Sequence, residues 1–424
     1  MKIKIKKSSL YYILYGITLI YILTFGLWDS ISQTSKYLFN VVMIVSISML
    51  LITEFGKNRT IMNRNTLLIY MLSMAYYVLN AISLTDRRLI FNGLYSYLYY
   101  QLLLLAWLYA LKKINVRKLF SIFEIFGIVS SLLGAHEVQT GTLLLGGTAY
   151  GKSFSNYYIV RAVVFSGSFL TLGMFLAICV IISFFQYEST KKFIHIISMV
   201  MSLMGLIVTS SRGPLVATII CLILMYLLFD TSNFRTRARK VITLVLTIVV
   251  LSIVFLLLAN TVMKNNYYVL YIRNRFQSIF DWTNESGNVG RVNRWALFRK
   301  MFSKNWLFGI GIGGSGTRAA QLTGALNTES GVLKRLLELG IFGSIIYYLL
   351  IFNILKNGFQ YYIACTKTHK DSAILAGLAI IIAILIEETI MQITETIMVS
   401  NVFWMFIAYI ILASQAKIDK TLDV

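Results

Sequence analysis

Apolar runs close to the roughly 20 residues that a helix needs to cross a bilayer recur from one end of this chain to the other. They lie at about 10–28, 37–53, 66–83, 89–111, 118–135, 161–185, 193–209, 214–229, 241–260, 332–355, 372–391 and 396–413. Hydrophobic residues make up 58% of the 424 and charged residues only 13%, against about a quarter charged in soluble domains. The expected fold is all-α: a polytopic membrane bundle of about 12 transmembrane helices with one large external loop.

The net charge of +22 would point to nucleic acid in a soluble protein. Here topology accounts for most of it, because Lys and Arg accumulate in cytoplasmic loops. With the basic N-terminus inside, alternate loops carry Lys57/Arg59/Arg64, Lys112/Lys113/Arg117/Lys118, Lys191/Lys192, Arg235/Arg237/Arg239/Lys240 and Lys356/Lys367/Lys370, and the tail carries Lys417/Lys420. Both termini are therefore expected in the cytoplasm, and no nucleic-acid partner is expected. MKIKIKK leads into an apolar run without a small-residue cleavage site, so the first helix is expected to stay. Cys179, Cys221 and Cys365 fall in spans or a cytosolic loop and suggest neither disulfides nor a metal site.

The opposite loops are poor in basic residues, apart from Arg87/Arg88, a segment near 136–160 and a long loop at about 261–331. The long loop holds nine basic residues (Lys264, Arg273, Arg275, Arg291, Arg294, Arg299, Lys300, Lys304, Arg318) against Asp281, Glu285 and Glu329. Such an excess on the external side suits anionic lipid headgroups or anionic substrate groups such as phosphates.

Five stretches could carry chemistry. TSSRGPLVATII, 209–220, holds the chain's only proline; Pro214 is expected to begin a helix and Gly213 to make the reversal before it. Ser211 and Arg212 would then sit at an external helix N-terminus, where an anion is favoured. GRVNRWALFRKMFSKNWLFG reads as an amphipathic helix with Trp295, Phe298 and Phe302 on one face and Lys300 and Lys304 opposite. Arg291, Arg294 and Arg299 fall near the aromatic face, and arginine suits bidentate phosphate recognition. GIGIGGSGTR, which ends on Arg318, lacks the lysine and hydroxyl of a phosphate-binding loop and reads as a flexible turn.

In NTESGVLKRLLELGIFG, Asn327 or Thr328 is a candidate N-cap, Glu329 aligns with Leu333 and Leu336, and Lys334 pairs with Glu338 on another face. Glu329 is then either a first-turn carboxylate answering the helix dipole or a base at the external mouth. In IEETIMQITETI, helical spacing puts Glu388, Gln392 and Glu395 on one face, as partners for the basic loop or as sugar contacts. His195 and His369 fall on the cytoplasmic side and His136 is the only external histidine, so no histidine cluster forms.

The order SSRG, GRVNRW, NWLFGIGIG and NTESGVLKRLLELGIFG over about 205–355 resembles the O-antigen polymerase and ligase superfamily, nearest to its Wzy-type polysaccharide polymerases. The resemblance implies a GT-C-like bundle and an enzyme joining undecaprenyl-diphosphate-linked oligosaccharide units at the outer face of the cytoplasmic membrane. It implies that Arg212, Arg291 and Arg294 handle the lipid-diphosphate donor, so that Arg212 and Arg291 are catalytic candidates together with Glu329. The placement of the residues themselves adds Arg299, Ser211, Arg318 and Glu388 to Arg294 as candidate substrate contacts. The ligase branch places a histidine where this chain reads Asn327-Thr328-Glu329-Ser330, which disfavours a ligase and leaves Glu329 as the base. No cofactor and no metal is expected; Asp281 and Glu285 offer at most a weak cation site. The expected partners are the lipid-linked oligosaccharide, the bilayer, a chain-length regulator and a flippase. Three regions are expected: an N-terminal transmembrane half, 1–192; a polymerase/ligase-like core, 193–355, including the loop 261–331; and C-terminal helices, 356–424. The competing class is a lipid-linked oligosaccharide flippase, which would gather polar groups near the bilayer midplane.

Overall fold

The computed structural model describes residues 16, 18–27, 62–82, 86–112, 115–145, 151–154, 157–228, 239, 242, 286–366 and 373–415. The expected span at 37–53 and, except for residue 242, that at 241–260 lie outside the described residues, as do Asp281, Glu285 and the first part of the span expected at 10–28. Nine of the other expected spans are helices, which we number in chain order together with two short helices of the long loop. They are α1 (Arg64–Ile82), α2 (Arg87–Leu111), α3 (Val116–Thr140), α4 (Phe169–Thr190), α5 (Phe193–Val208), α6 (Arg212–Leu228), α7 (Ser286–Phe302), α8 (Thr317–Thr323), α9 (Gly331–Thr366), α10 (Ala373–Glu388) and α11 (Ile397–Gln415). Six of these, α1, α2, α3, α4, α9 and α11, are long and apolar enough to cross a membrane.

The fold is helical as expected, with one short antiparallel hairpin of Gly151–Phe154 and Tyr157–Val160, β1 and β2, beside the helices. One expectation needs correction. The span expected from 161 begins only at Phe169, where Ser168 caps α4 by accepting from the Leu170 N–H at 3.3 Å. Glu137, at the end of α3, fixes the intervening segment. It is fully buried and accepts from the N–H groups of Leu144, Val163 and Val164 at 3.0, 2.7 and 2.9 Å.

Caps set the other helix starts. Asp86 accepts from the Arg88 N–H before α2, and Asn115 accepts from the Arg117 N–H before α3, each at 2.9 Å. Helices α4 and α10 are buried around almost their whole circumference and form the centre of the bundle. Around them, α3 and α5 pack on α4, α6 lies against α10 and α4, and α11 bridges α10 to α2. Helix α9 shows a lipid-facing stripe, Phe342, Ile345, Leu349, Phe352 and Ile363, and turns Leu339, Tyr347, Leu350 and Ile354 inward. A buried pair, His195 Nδ1 to Glu124 Oε1 at 2.8 Å, ties α5 to α3.

Two further corrections concern turns. The reversal before α6 is made by Ser210, which has φ 55, and the helix already starts at Arg212; Gly213 and Pro214 lie inside its first turn. Proline is tolerated there because its missing N–H has no intrahelical acceptor.

The glycine-rich stretch after α7 is not a flexible turn. Gly311 to Gly316 are all buried. Helix α9 breaks at Gly340 (φ 65, ψ −171), and the stretch supplies the hydrogen bonds that the break leaves open. Ile310 and Gly311 donate to the carbonyls of Leu337 and Glu338 at 2.9 and 3.1 Å, and Ile341 donates to the Trp306 carbonyl at 2.8 Å. Asn80 and Tyr76 of α1 complete the joint, donating to the carbonyls of Phe308 and Leu339 at 2.8 and 2.7 Å. Further on, Gly313 (φ 80) packs against the backbone of Leu89 and Gly93 in α2, so that a β-carbon there would overlap the Leu89 carbonyl. Irregular backbone in a membrane protein is tolerated where it is buried in protein and finds hydrogen-bond partners there.

Gly313→Ala is therefore expected to cost on the order of 2–4 kcal/mol through strain and overlap. Gly290→Ala, in α7 with open space around it, is expected to be neutral or slightly stabilising. Thermal unfolding of the two purified variants in one detergent checks the contrast; equal losses would contradict the packing.

Candidate functional site

The charged groups collect at one end of the bundle, around the first turns of α9. Lys334 and Arg335 are 3% and 7% exposed, an environment in which an unpaired cation would cost several kcal/mol. Each is matched. Lys334 Nζ is ion-paired to Glu395 and lies 3.4 Å from Glu338 Oε2. Glu338 also accepts from the Tyr97 hydroxyl at 2.6 Å and the Ser315 N–H at 2.9 Å. Arg335 lies over the Tyr347 ring and bonds Glu388 at 2.9 Å and Thr394 at 2.6 Å. The cluster joins α2, the glycine-rich stretch, α9, α10 and the segment 389–396.

Helix α10 ends at Glu388, so Glu388, Gln392 and Glu395 share no helix face as spacing predicted. The chain turns, and a short 3-10 turn, Ile393–Glu395, brings Glu395 to Lys334. Gln392 donates to Asn327 and Thr328 at 3.1 and 3.0 Å and accepts from the Thr317 N–H at 3.3 Å. The acidic groups answer α9 cations rather than the basic residues of the long loop. Glu388, expected to touch substrate, is 1% exposed and committed to Arg335 and Thr394.

Above this floor, Glu329 meets the loop arginines. Helix α9 begins at Gly331, and the hydroxyl of Ser330, not Asn327 or Thr328, caps it by accepting from the Leu333 N–H at 3.3 Å. Glu329 thus precedes the helix, with a left-handed φ of 59 and its N–H donated to Asn327 at 3.0 Å. The helical alignment with Leu333 fails, and the carboxylate lines a cavity instead. Arg291 Nε donates to Glu329 Oε2 at 3.1 Å, and Arg294 pairs with the other oxygen, Oε1. Arg291 is also held by Asn288 and Met391, each at 3.4 Å.

In α7 the residues Asn288, Arg291, Arg294, Trp295, Phe298 and Phe302 form the more buried stripe. Arg299 is exposed beside Lys300, away from Glu329's arginines. Val292 and Leu297 are exposed too, so the segregation of apolar residues is weaker than the sequence suggests.

A cavity of about 570 Å³ opens between these groups, with Glu329, Glu395, Gln392, Arg318, Asn327 and Tyr95 among its lining. It brings together Glu329 and Arg318 from the expected set. Arg212 is half-buried at the start of α6, where Gly213 packs directly against the Glu387 carboxylate. Ser211 is buried, with its hydroxyl donated to the Phe169 carbonyl at 3.0 Å, which makes it a tie between α6 and α4.

In the floor formed by Lys334, Arg335, Glu338 and Glu395, the Lys334–Glu338 pair is the one that spacing predicted, and Arg335 is the member it did not single out. A usable signal was present: two cations and a carboxylate within five residues of a long apolar helix must face partners inside the protein. Glu387 is also 1% exposed, and neither of its carboxylate oxygens has a hydrogen-bond partner in the structure. Among the described residues, no group of three or more His, Cys, Asp or Glu side chains has the geometry to hold a metal ion.

Residues 197–348 match the family model described as O-antigen ligase, in keeping with the resemblance to the O-antigen polymerase and ligase superfamily. The matched region contains Arg212, Arg291, Arg294, Arg299, Arg318 and Glu329, together with Lys334, Arg335 and Glu338. No curated protein and no solved structure matches the chain.

Removing one partner of the buried cluster is expected to be far more damaging than removing an exposed charge. Lys334→Met should cost about 3–5 kcal/mol by stranding Glu338 and Glu395, whereas Lys300→Met should stay within about 0.5 kcal/mol. Thermal unfolding in detergent, read by loss of the monodisperse peak, measures both.

Proposed function

We propose that the chain is a polysaccharide polymerase of the cytoplasmic membrane, joining undecaprenyl-diphosphate-linked oligosaccharide units at the external mouth. The observation that carries this reading is the convergence of Arg291 and Arg294 on Glu329, at a cavity large enough to admit sugars. The family match supports the glycosyltransferase class. The charged groups sit at one end of the bundle, which suits surface chemistry better than passage through the midplane. Residues 193–355 form the catalytic core in this reading, and both termini lie in the cytoplasm.

Breaking the anomeric C–O bond of the donor places negative charge on the departing lipid diphosphate. Arg291 and Arg294 would hold that group, with Arg212 at the adjoining helix start, and preplaced cations in a poorly hydrated site lower such a barrier by several kcal/mol. The acceptor hydroxyl forms the new bond to the anomeric carbon, and its proton passes to Glu329. Glu329 occupies the place of an anion between the two arginines. A diphosphate that takes those arginines over would release Glu329 and raise its basicity at the moment a base is needed. The left-handed backbone at Glu329 is a strained conformation of the kind found at such sites.

A ligase reading has the description of the matching family behind it. The two differ in acceptor: a ligase hands the glycan to a different molecule, a polymerase to another lipid-linked unit. Histidine is missing from 327–330, which favours the polymerase within the resemblance.

Membranes containing the protein, supplied with lipid-linked repeat units, are expected to yield a ladder of longer lipid-linked chains on a gel. Persistence of single units would count against the polymerase, and transfer to a non-lipid-linked acceptor would favour the ligase. Arg291→Ala, Arg294→Ala and Glu329→Gln should each lower the rate by about 10²–10³ at unchanged protein level. Lys300→Ala and Lys304→Ala should change it little, and equal damage from these would sink the assignment.

A further inference from the structure

Arg87 and Arg88, another break in the positive-inside pattern, have no part in the site described so far. They open α2 behind Asp86, which caps the helix and takes Arg88 in a pair at 2.9 Å. Across from them, α8 carries Arg318 and, one turn later, Leu322. Backbone packing of Ile312 and Gly313 on Leu89 and Gly93 fixes the approach of these two elements.

The three arginines, with Phe91, Asn92 and Leu322, line a cleft of about 360 Å³. Among the described residues neither Arg87 nor Arg318 has a carboxylate partner, so the cleft holds three cations against one carboxylate. Phe91 is 63% exposed and Leu322 38%, which gives the same cleft an apolar side. Cationic and apolar surfaces together suit an amphiphile with a doubly charged head. Arg318 and Asn92 also line the large cavity, so the cleft opens toward Glu329.

We propose that this cleft binds a second polyprenyl diphosphate, the head group of the acceptor, while Arg291 and Arg294 hold that of the donor. The inference rests on the reading that two lipid-linked glycans are joined here. Two such substrates carry two diphosphates that repel each other, and each needs its own cations. Glu329, which holds Arg291 and Arg294, and Arg318 of the cleft line the same cavity. Bulk anionic phospholipid has the same head-group chemistry, but a site for it has no need to open into that cavity.

The test counts bound radiolabelled undecaprenyl diphosphate on the full-length protein in phosphatidylcholine nanodiscs. The wild type should bind two equivalents. The triple variant Arg87→Gln/Arg88→Gln/Arg318→Gln should keep one, and Arg291→Ala/Arg294→Ala should keep the other; matching thermal unfolding would show both folded. In the chain-extension assay the triple variant should raise KM for the single-unit acceptor about tenfold or more while leaving KM for the long donor unchanged. One equivalent in the wild type, or two in the triple variant, overturns the proposal. Displacement of the second equivalent by phosphatidylglycerol also overturns it, since the cleft would then be a general lipid site. Two equivalents, each lost with its own arginine group, in a protein that never extends a chain would uphold the two sites and sink the polymerase reading instead.

Discussion

An ammonium and a guanidinium buried side by side at the start of α9 are the constraint around which this end of the molecule is arranged. Cations taken out of water demand anions close by, and none is available on α9 beyond Glu338. The rest come from elsewhere: Glu388 from the end of α10 and Glu395 from the turn after it. To deliver both, α10 has to stop at Glu388 and the chain has to fold back before α11. The same cluster draws in Tyr97 and Ser315 and so pins α2 and the glycine-rich stretch. The cavity is what remains open above that floor, and Glu395 belongs to both.

Hydrophobic periodicity and loop charge were enough to place nine helices and to group the arginines, Glu329 and the acidic turn at one end. That legibility has a physical origin: span length is set by the bilayer, and a helix that carries charge must turn it toward protein or water. The period of α7 placed Arg291 and Arg294 beside Trp295 and Phe298 correctly. It failed for Arg299, because one residue past Phe298 the helix surface already faces solvent.

What stayed hidden were departures from regular structure. Ser210 carries the positive φ before α6, although Gly213 was the more obvious residue for it. Glycine at 213 answers a different need, the close approach of Glu387 from another helix. Glu329 and Glu388 were each placed by an unbroken helical period, and in both cases the helix boundary lies within two residues of the side chain concerned. Periodicity carries no information about such ends, and the partners that decide them are distant in sequence: Arg291 is 38 residues from Glu329, and Thr394 is 59 from Arg335.

The break at Gly340 divides α9 into two lengths with different surroundings. Below it, the lipid-facing stripe from Phe342 to Ile363 rises about 32 Å at 1.5 Å per residue, which already matches a hydrocarbon core of about 30 Å. Lys334, Arg335 and Glu338 stand on the other side of the break, beyond that thickness. Depth therefore reconciles burial with charge. In the proposed reading the ion cluster, enclosed by protein, lies level with the phosphate layer of the membrane, where a lipid-borne diphosphate meets it without leaving the height at which its own chain is anchored.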